Sequence, residues 1–143
     1  MAKIQIYTDG GSRGNPGPAG IGVVVIADGS TLAELQEHVG TKTNNEAEYL
    51  AFQRSLSWLK EYVQRYPGTE VEWRLDSKLV VEQIQRHWKC KEARIAEFLK
   101  DIWSVLNELT AQYSLKYTIT HVPRAENSAA DLLVNQALDN AGF

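Results

Sequence analysis

The chain opens on an alternation. Residues 3–8, KIQIYT, set apolar and polar side chains in turn and are rich in strand formers, the period-two pattern of a half-buried strand. A loop dense in glycine and proline follows at 10–20, GGSRGNPGPAG. Residues 21–27, IGVVVIA, form a continuous apolar run and read as a central strand. Asp28-Gly29 is a hairpin-turn signal. It feeds TLAELQEHV at 31–39, which favours a third antiparallel strand there over a short helix.

The period then changes. Thr43-Asn44-Asn45-Glu46 has the form of a capping box, with Glu46 three residues beyond Thr43. Ala51, Ser55, Leu59 and Val63, with Trp58 and Tyr62, recur at helical spacing, which predicts a long helix over 44–65. Pro67-Gly68 stops it. EVEWRL at 70–75 alternates as a fourth strand, and Asp76 is expected to cap a helix ending near Arg86. Another helix is expected from about Glu92 to Leu109. SLKYTITH at 114–121 is a fifth strand ended by Pro123, and Asn127-Ser128 is expected to cap a last helix reaching about Asp139.

The order is βββαβααβα. The first three strands make a meander. Each later strand is reached across a helix, which implies parallel pairing through right-handed crossovers. The expected fold is therefore α/β: a mixed five-stranded sheet, three antiparallel strands then two parallel, flanked by helices in a single domain over 1–143.

Charge changes the picture locally. The chain carries 18 acids against 15 bases, a net −3. That excludes a protein holding nucleic acid by bulk positive charge alone. Between Arg74 and Arg94, however, six bases stand against three acids. The single cysteine, Cys90, excludes an internal disulfide and a cysteine-built zinc site, and fits a reducing, cytoplasmic setting. No stretch approaches the ~18 apolar residues of a membrane helix, and MAKIQIYTDGG lacks a signal pattern. No membrane partner is expected. Nothing demands a partner chain, so a monomer is expected.

Four acids stand where elements end or begin: Asp9, Glu48, Asp76 and Asp131. Each has a simpler reading as a turn residue, a cap or a complement to a helix dipole. Glu48, however, shares a helix face with Phe52, Ser55 and Leu59, mostly the inward one. Asp131 lies one turn from Val134 and Asn135 and borders the packed face. An inward acid without a basic partner is costly. Two carboxylates ~5 Å apart repel by roughly 3 kcal/mol at an effective dielectric of ~20, so four together would need cations. Hard oxygen ligands without histidine or cysteine sets suit Mg2+ or Mn2+. The glycine loop lacks the Gly-Lys-Ser/Thr ending of a P-loop and the GxGxxG spacing. It offers backbone amides beside Asp9, with glycines that let a ligand come close.

Four stretches carry these acids: YTDGGSRGNPGPAGIGVVV at 7–25, TNNEAEYLA at 43–51, LDSKLVVEQI at 75–84 and HVPRAENSAADLLVNQALD at 121–139. With them in this order and spacing, the chain resembles type 1 ribonuclease H. The resemblance implies that family's fold, with Asp9, Glu48, Asp76 and Asp131 as its catalytic, metal-binding carboxylates. It places His121 where relatives carry a loop histidine that helps product release or proton handling. It implies two Mg2+ ions per site, with Mn2+ as the other cation that fits, and hydrolysis of the RNA strand of RNA–DNA hybrids to 5′-phosphate and 3′-hydroxyl ends.

The resemblance also implies substrate contacts. Gly10 and Gly11 (through their backbone), Asn15 and Asn45 would touch the RNA strand and its 2′-hydroxyls. Thr43 and Asn44 would grip a DNA-strand phosphate at a helix start, besides capping. Some relatives carry a longer basic insertion where this chain has only QRHWKCKEARI. Trp88, Lys89 and Lys91 are the remaining candidates for a channel against the DNA strand, with a core role for Trp88 as the alternative. Lys78 stands where some relatives have glutamine. Two other readings remain: action on double-stranded RNA as well, and a catalytically weak hybrid-binding module. Dead nuclease domains usually lack one or more of the acids, and all four are present here.

Overall fold

The computed structural model describes residues 3–143. Strands β1 (Lys3–Ser12), β2 (Gly17–Ala27) and β3 (Ser30–Lys42) are followed by α1 (Asn44–Arg65), β4 (Glu70–Leu75), α2 (Lys78–Ile84), α3 (Ala93–Tyr113), β5 (Lys116–His121) and α4 (Ser128–Asn140). A single 3-10 turn, Arg124–Asn127, leads into α4. The sheet order is β3-β2-β1-β4-β5. β2 runs antiparallel to β1 and β3, and β4 runs parallel to β1 and β5. This is the expected mixed sheet.

Local chemistry accounts for most of the boundaries. Asp28 and Gly29 both take positive φ, 51° and 76°, as a primed hairpin turn requires, and β3 follows directly. The Thr43 hydroxyl accepts from the Glu46 N–H at 3.1 Å while the Glu46 carboxylate accepts from the Thr43 N–H at 3.0 Å. That closes the capping box at the start of α1. α1 then buries Ala51, Phe52, Ser55, Leu59 and Val63 along one stripe. Against it stand Ile4, Ile6 and Trp73 of the sheet and Leu99, Ile102 and Leu106 of α3. Inside this core the Trp73 indole N–H donates to Ser55 Oγ at 3.0 Å.

α4 covers part of the other sheet face, where Ala130 and Leu133 pack on Val24. Gly22 allows that approach, since a Cβ there would stand 2.3 Å from the Ala130 carbonyl oxygen. No helix of the described residues is long and apolar enough to cross a membrane.

Several boundaries and caps differ from expectation. The loop expected over 10–20 is only residues 13–16, because β1 runs on to Ser12 and β2 starts at Gly17. Ser77, not Asp76, is the N-cap of α2, its hydroxyl accepting from the Val80 N–H at 3.4 Å. α2 ends at Ile84, before Arg86 turns to φ 66°. α3 begins at Ala93 and runs past Leu109 to Tyr113. Asn127 does stand at the N-cap position of α4, but its side chain makes no cap bond. It turns inward instead, and its amide donates to the Thr8 carbonyl at 2.9 Å.

Candidate active site

The parallel pairing of β1 with β4 sets Thr8 opposite Leu75. The next residue on each strand path is an acid, Asp9 on β1 and Asp76 after β4, so the two lie side by side. Glu48 approaches from the inward face of α1 and is buried. One carboxylate oxygen from each of Asp9, Glu48 and Asp76 lies within 4.8 Å of the other two. Because Ser77 caps α2, the Asp76 carboxylate is left for this cluster. Asp131, in the first turn of α4, is outside that tight trio but lines the same hollow, a space of about 480 Å³.

The carboxylates act on one another. Burial, joined by the charges of Asp76 and Asp131, pushes Asp9 up to about 7, although a hydrogen bond with Glu48 works the other way. Burial and the neighbouring Asp9 hold the Glu48 carboxyl well above the ordinary carboxylate range. Its one backbone anchor is the Gly10 N–H, which donates to it at 2.5 Å. Asp76 is raised by burial, while the Asn127 amide and the Arg124 guanidinium draw it back down. Asn127 is 1% exposed, and its Oδ1 has no hydrogen-bond partner among the described residues. Clustered hard oxygens of this kind fit a divalent cation, which would relieve the repulsion. Asp9, Glu48 and Asp76 are the residues placed to hold one.

The other expected residues divide into two groups. Gly10, Gly11, Asn44 and Asn45 line the hollow. The Asn44 amide oxygen accepts from the Ser12 N–H at 2.9 Å, and Asn15 Oδ1 accepts from the Asn44 N–H at 3.1 Å. The glycine loop and the start of α1 are thereby laced together. Thr43 spends its hydroxyl on the cap. His121 is exposed at the end of β5, outside the lining of the hollow.

Lys78, Trp88 and Lys89 form a separate patch. The Lys78 ammonium stands 6.0 Å from the Trp88 ring centroid, and Trp88 and Lys89 border a second hollow with Cys90 and Trp103. Trp88 is 45% exposed, which decides against a core role.

Sequence reasoning missed Arg124, Asn127 and Arg13. Arg124 and Arg13 line the hollow with the four acids. The available signal for Arg124 was a cation set between the last strand and the helix bearing Asp131. Asn127 gave none beyond its cap position.

Acids gathered at the ends of adjoining parallel strands, in a sheet ordered β3-β2-β1-β4-β5, define the RNase H type of α/β fold. The family model described as RNase H matches residues 1–139, and the chain belongs to that family, as a type 1 member. It is 40% identical to ribonuclease HI of Halobacterium salinarum over 97% of its own length and 66% of that protein's. It is 44% identical to a bifunctional protein of Mycobacterium tuberculosis, but spans only 36% of that protein's length. Among solved structures, LC11-RNase H1, isolated from compost by a metagenomic approach, is 45% identical, with a TM-score of 0.91 and 99% of each chain covered. LC11-RNase H1 in complex with an RNA/DNA hybrid superposes with a TM-score of 0.90 at 44% identity, covering 97% of this chain and 99% of that one.

Proposed function

We propose that this chain is an endoribonuclease that hydrolyses the RNA strand of RNA–DNA hybrids. The observation that carries the reading is the convergence of Asp9, Glu48 and Asp76 within 4.8 Å, beside a glycine loop that lines the same hollow. Membership of the RNase H family and the hybrid complex of LC11-RNase H1 support the choice of substrate.

Asp9, Glu48 and Asp76, with Asp131 at the edge of the hollow, would hold Mg2+ or Mn2+, two ions per site. Such ions supply a nucleophilic water at neutral pH and stabilise the leaving 3′-oxygen, leaving 5′-phosphate and 3′-hydroxyl ends. The chain's own residues do the positioning. The Gly10 N–H fixes the Glu48 carboxylate. Arg124 and Asn127 favour the ionised form of Asp76, the form that a metal requires. The backbone of Gly10 and Gly11, with Asn15 and Asn45, is assigned to the RNA strand and its 2′-hydroxyls, with the Gly10 N–H itself committed to Glu48. Thr43 and Asn44, at the start of α1, are placed for a DNA-strand phosphate. The Lys78, Trp88 and Lys89 patch extends the track of the DNA strand. His121, exposed at the strand end, is assigned to product release or proton handling.

The test is a digest of end-labelled hybrid, duplex RNA and duplex DNA with Mg2+, Mn2+ or EDTA. The expected result is cleavage confined to the RNA strand of the hybrid, dependent on metal and leaving 3′-hydroxyl ends. Folded protein that cuts none of the three with either metal would overturn the reading. Equal cutting of duplex RNA would broaden the substrate class.

A further inference from the structure

Resting on the hybrid reading above, we infer that Arg13 is a phosphate-binding residue for the RNA strand, held at the rim of the site by a replaceable partner, Asp139. Its guanidinium bonds Asp139 Oδ1 at 2.9 Å and Asn135 Oδ1 at 3.2 Å. These partners lie one turn apart on α4.

The loop that carries Arg13 does not need this side chain to hold its shape. The Arg13 N–H closes the loop on the Pro18 carbonyl at 2.8 Å. Ser12 and Asn15 tie it to Asn44. Gly17 packs so tightly that a Cβ there would stand 2.2 Å from the Arg13 carbonyl oxygen. The backbone is fixed, and the guanidinium is left to choose its partner.

That choice is shallow in energy. The Arg13 side chain is 35% exposed and the Asp139 side chain 66% exposed, and ion pairs in such settings contribute only about 0–1 kcal/mol. A phosphodiester offers the same fork of oxygens to a guanidinium, with comparable geometry.

Electrostatics gives the exchange its direction. Four acids and two arginines line the hollow, so the arginines are where an approaching polyanion finds opposite charge. Arg124, the other arginine of the lining, stands on the segment before α4. Asp139 is not among the lining residues, so letting go of it leaves the Arg13 guanidinium to turn into the hollow. It lies just beyond Gly10 and Gly11, on the side read as facing the RNA strand. Asn135 stays in place after the exchange, since its amide also donates to the Asp131 carbonyl at 3.1 Å.

The experiment compares hybrid binding by wild type, Arg13→Ala, Arg13→Lys and Asp139→Asn, using a labelled hybrid with Ca2+ in place of Mg2+ across a salt series. Arg13→Ala is expected to weaken binding about tenfold and to reduce the salt slope by about one. Arg13→Lys recovers part of the loss. Asp139→Asn is expected to tighten binding about two- to threefold, because it removes the competing anion. In Mg2+ turnover, Arg13→Ala raises KM and leaves kcat within about twofold.

If Asp139→Asn weakens binding as Arg13→Ala does and lowers Tm alongside it, the pair is a structural strap and the inference is overturned. Wild type that binds hybrid, beside Arg13→Ala that binds it equally well, also overturns it. Wild type that fails to bind hybrid overturns the functional reading, and this inference with it.

Discussion

The backbone N–H of Gly10 donates to the Glu48 carboxylate at 2.5 Å, and a Cβ on that same glycine would stand 2.3 Å from the carbonyl carbon and oxygen of Ala47. α1 therefore touches β1 at the residue that orients its inward acid. The sequence suggested that this glycine leaves room for a ligand, and the structure shows that it leaves room for a helix. Gly10→Ala must push the first turns of α1 away from the sheet. The expected loss is about 1–3 kcal/mol of stability, read from urea melts. Because Glu48 moves with the helix, kcat should fall further than the folded fraction does. An unchanged denaturation midpoint with full activity would contradict this packing.

Asp9 sits in a cluster that disfavours its own ionisation, and replacing it should separate function from stability. Asp9→Asn removes a metal ligand and should lower cleavage about a thousandfold or more, since metal stabilisation of the transition state is worth several kcal/mol. It also removes a charge that repels Glu48 and Asp76. The metal-free variant should therefore melt higher than metal-free wild type at pH 8, by a margin of about 1–3 kcal/mol. Calorimetry in EDTA measures the difference. A lower Tm for the variant would mean that these carboxylates do not repel one another as placed.

The same cluster sets the pH dependence of the metal-free fold. Asp9 is raised from 3.8 to about 7, chiefly by burial, and Glu48 is shifted in the same direction. Between those two values the unfolded chain releases the Asp9 proton while the folded chain keeps it. The folded state then binds more protons, so stability falls as pH rises from about 4 to about 7, by the order of a few kcal/mol. Saturating Mg2+ binds the ionised form and should flatten or reverse that slope. Melting curves at pH 5, 6, 7 and 8, in EDTA and in Mg2+, with Asp9→Asn as the control, separate this contribution from the rest. A metal-free Tm that rises across that range in wild type but not in the variant would refute it.

Most of the fold was legible because its determinants are local. The alternation of β1, the Asp28-Gly29 turn and the Thr43–Glu46 capping box each act within a few residues, and each appears as expected. The misreadings arose where two adjacent residues could do one job. Asp76 and Ser77 are both capping types. Only the β1–β4 register, which puts Asp76 beside Asp9, shows why serine takes the cap. Asn127 looked like a cap for the same reason, but the Thr8 carbonyl, distant in sequence, claims its amide. Glu48 was legible as an inward acid because helical spacing fixes its face. The separation of Asp131 from the tight trio was not, since it depends on how α4 crosses β2. Trp88 had no local pattern to assign it to core or surface.

Arg124 gives the last test, and it concerns a residue that only the assembled site reveals. Its guanidinium lowers the Asp76 carboxyl against the upward push of burial, and it lines the hollow beside that acid. Arg124→Ala removes the opposing charge, so Asp76 should protonate at higher pH than it does in wild type. Protons and metal compete for the same carboxylate. The acid limb of the pH–rate profile should therefore move to higher pH, and more Mg2+ should be needed for half-maximal rate at pH 7. Arg124→Lys keeps the charge and should restore much of both. A residue that only shaped the turn before α4 would lower Tm without moving the acid limb. A loss of rate equal at every pH would show that the Arg124 charge does not act through Asp76.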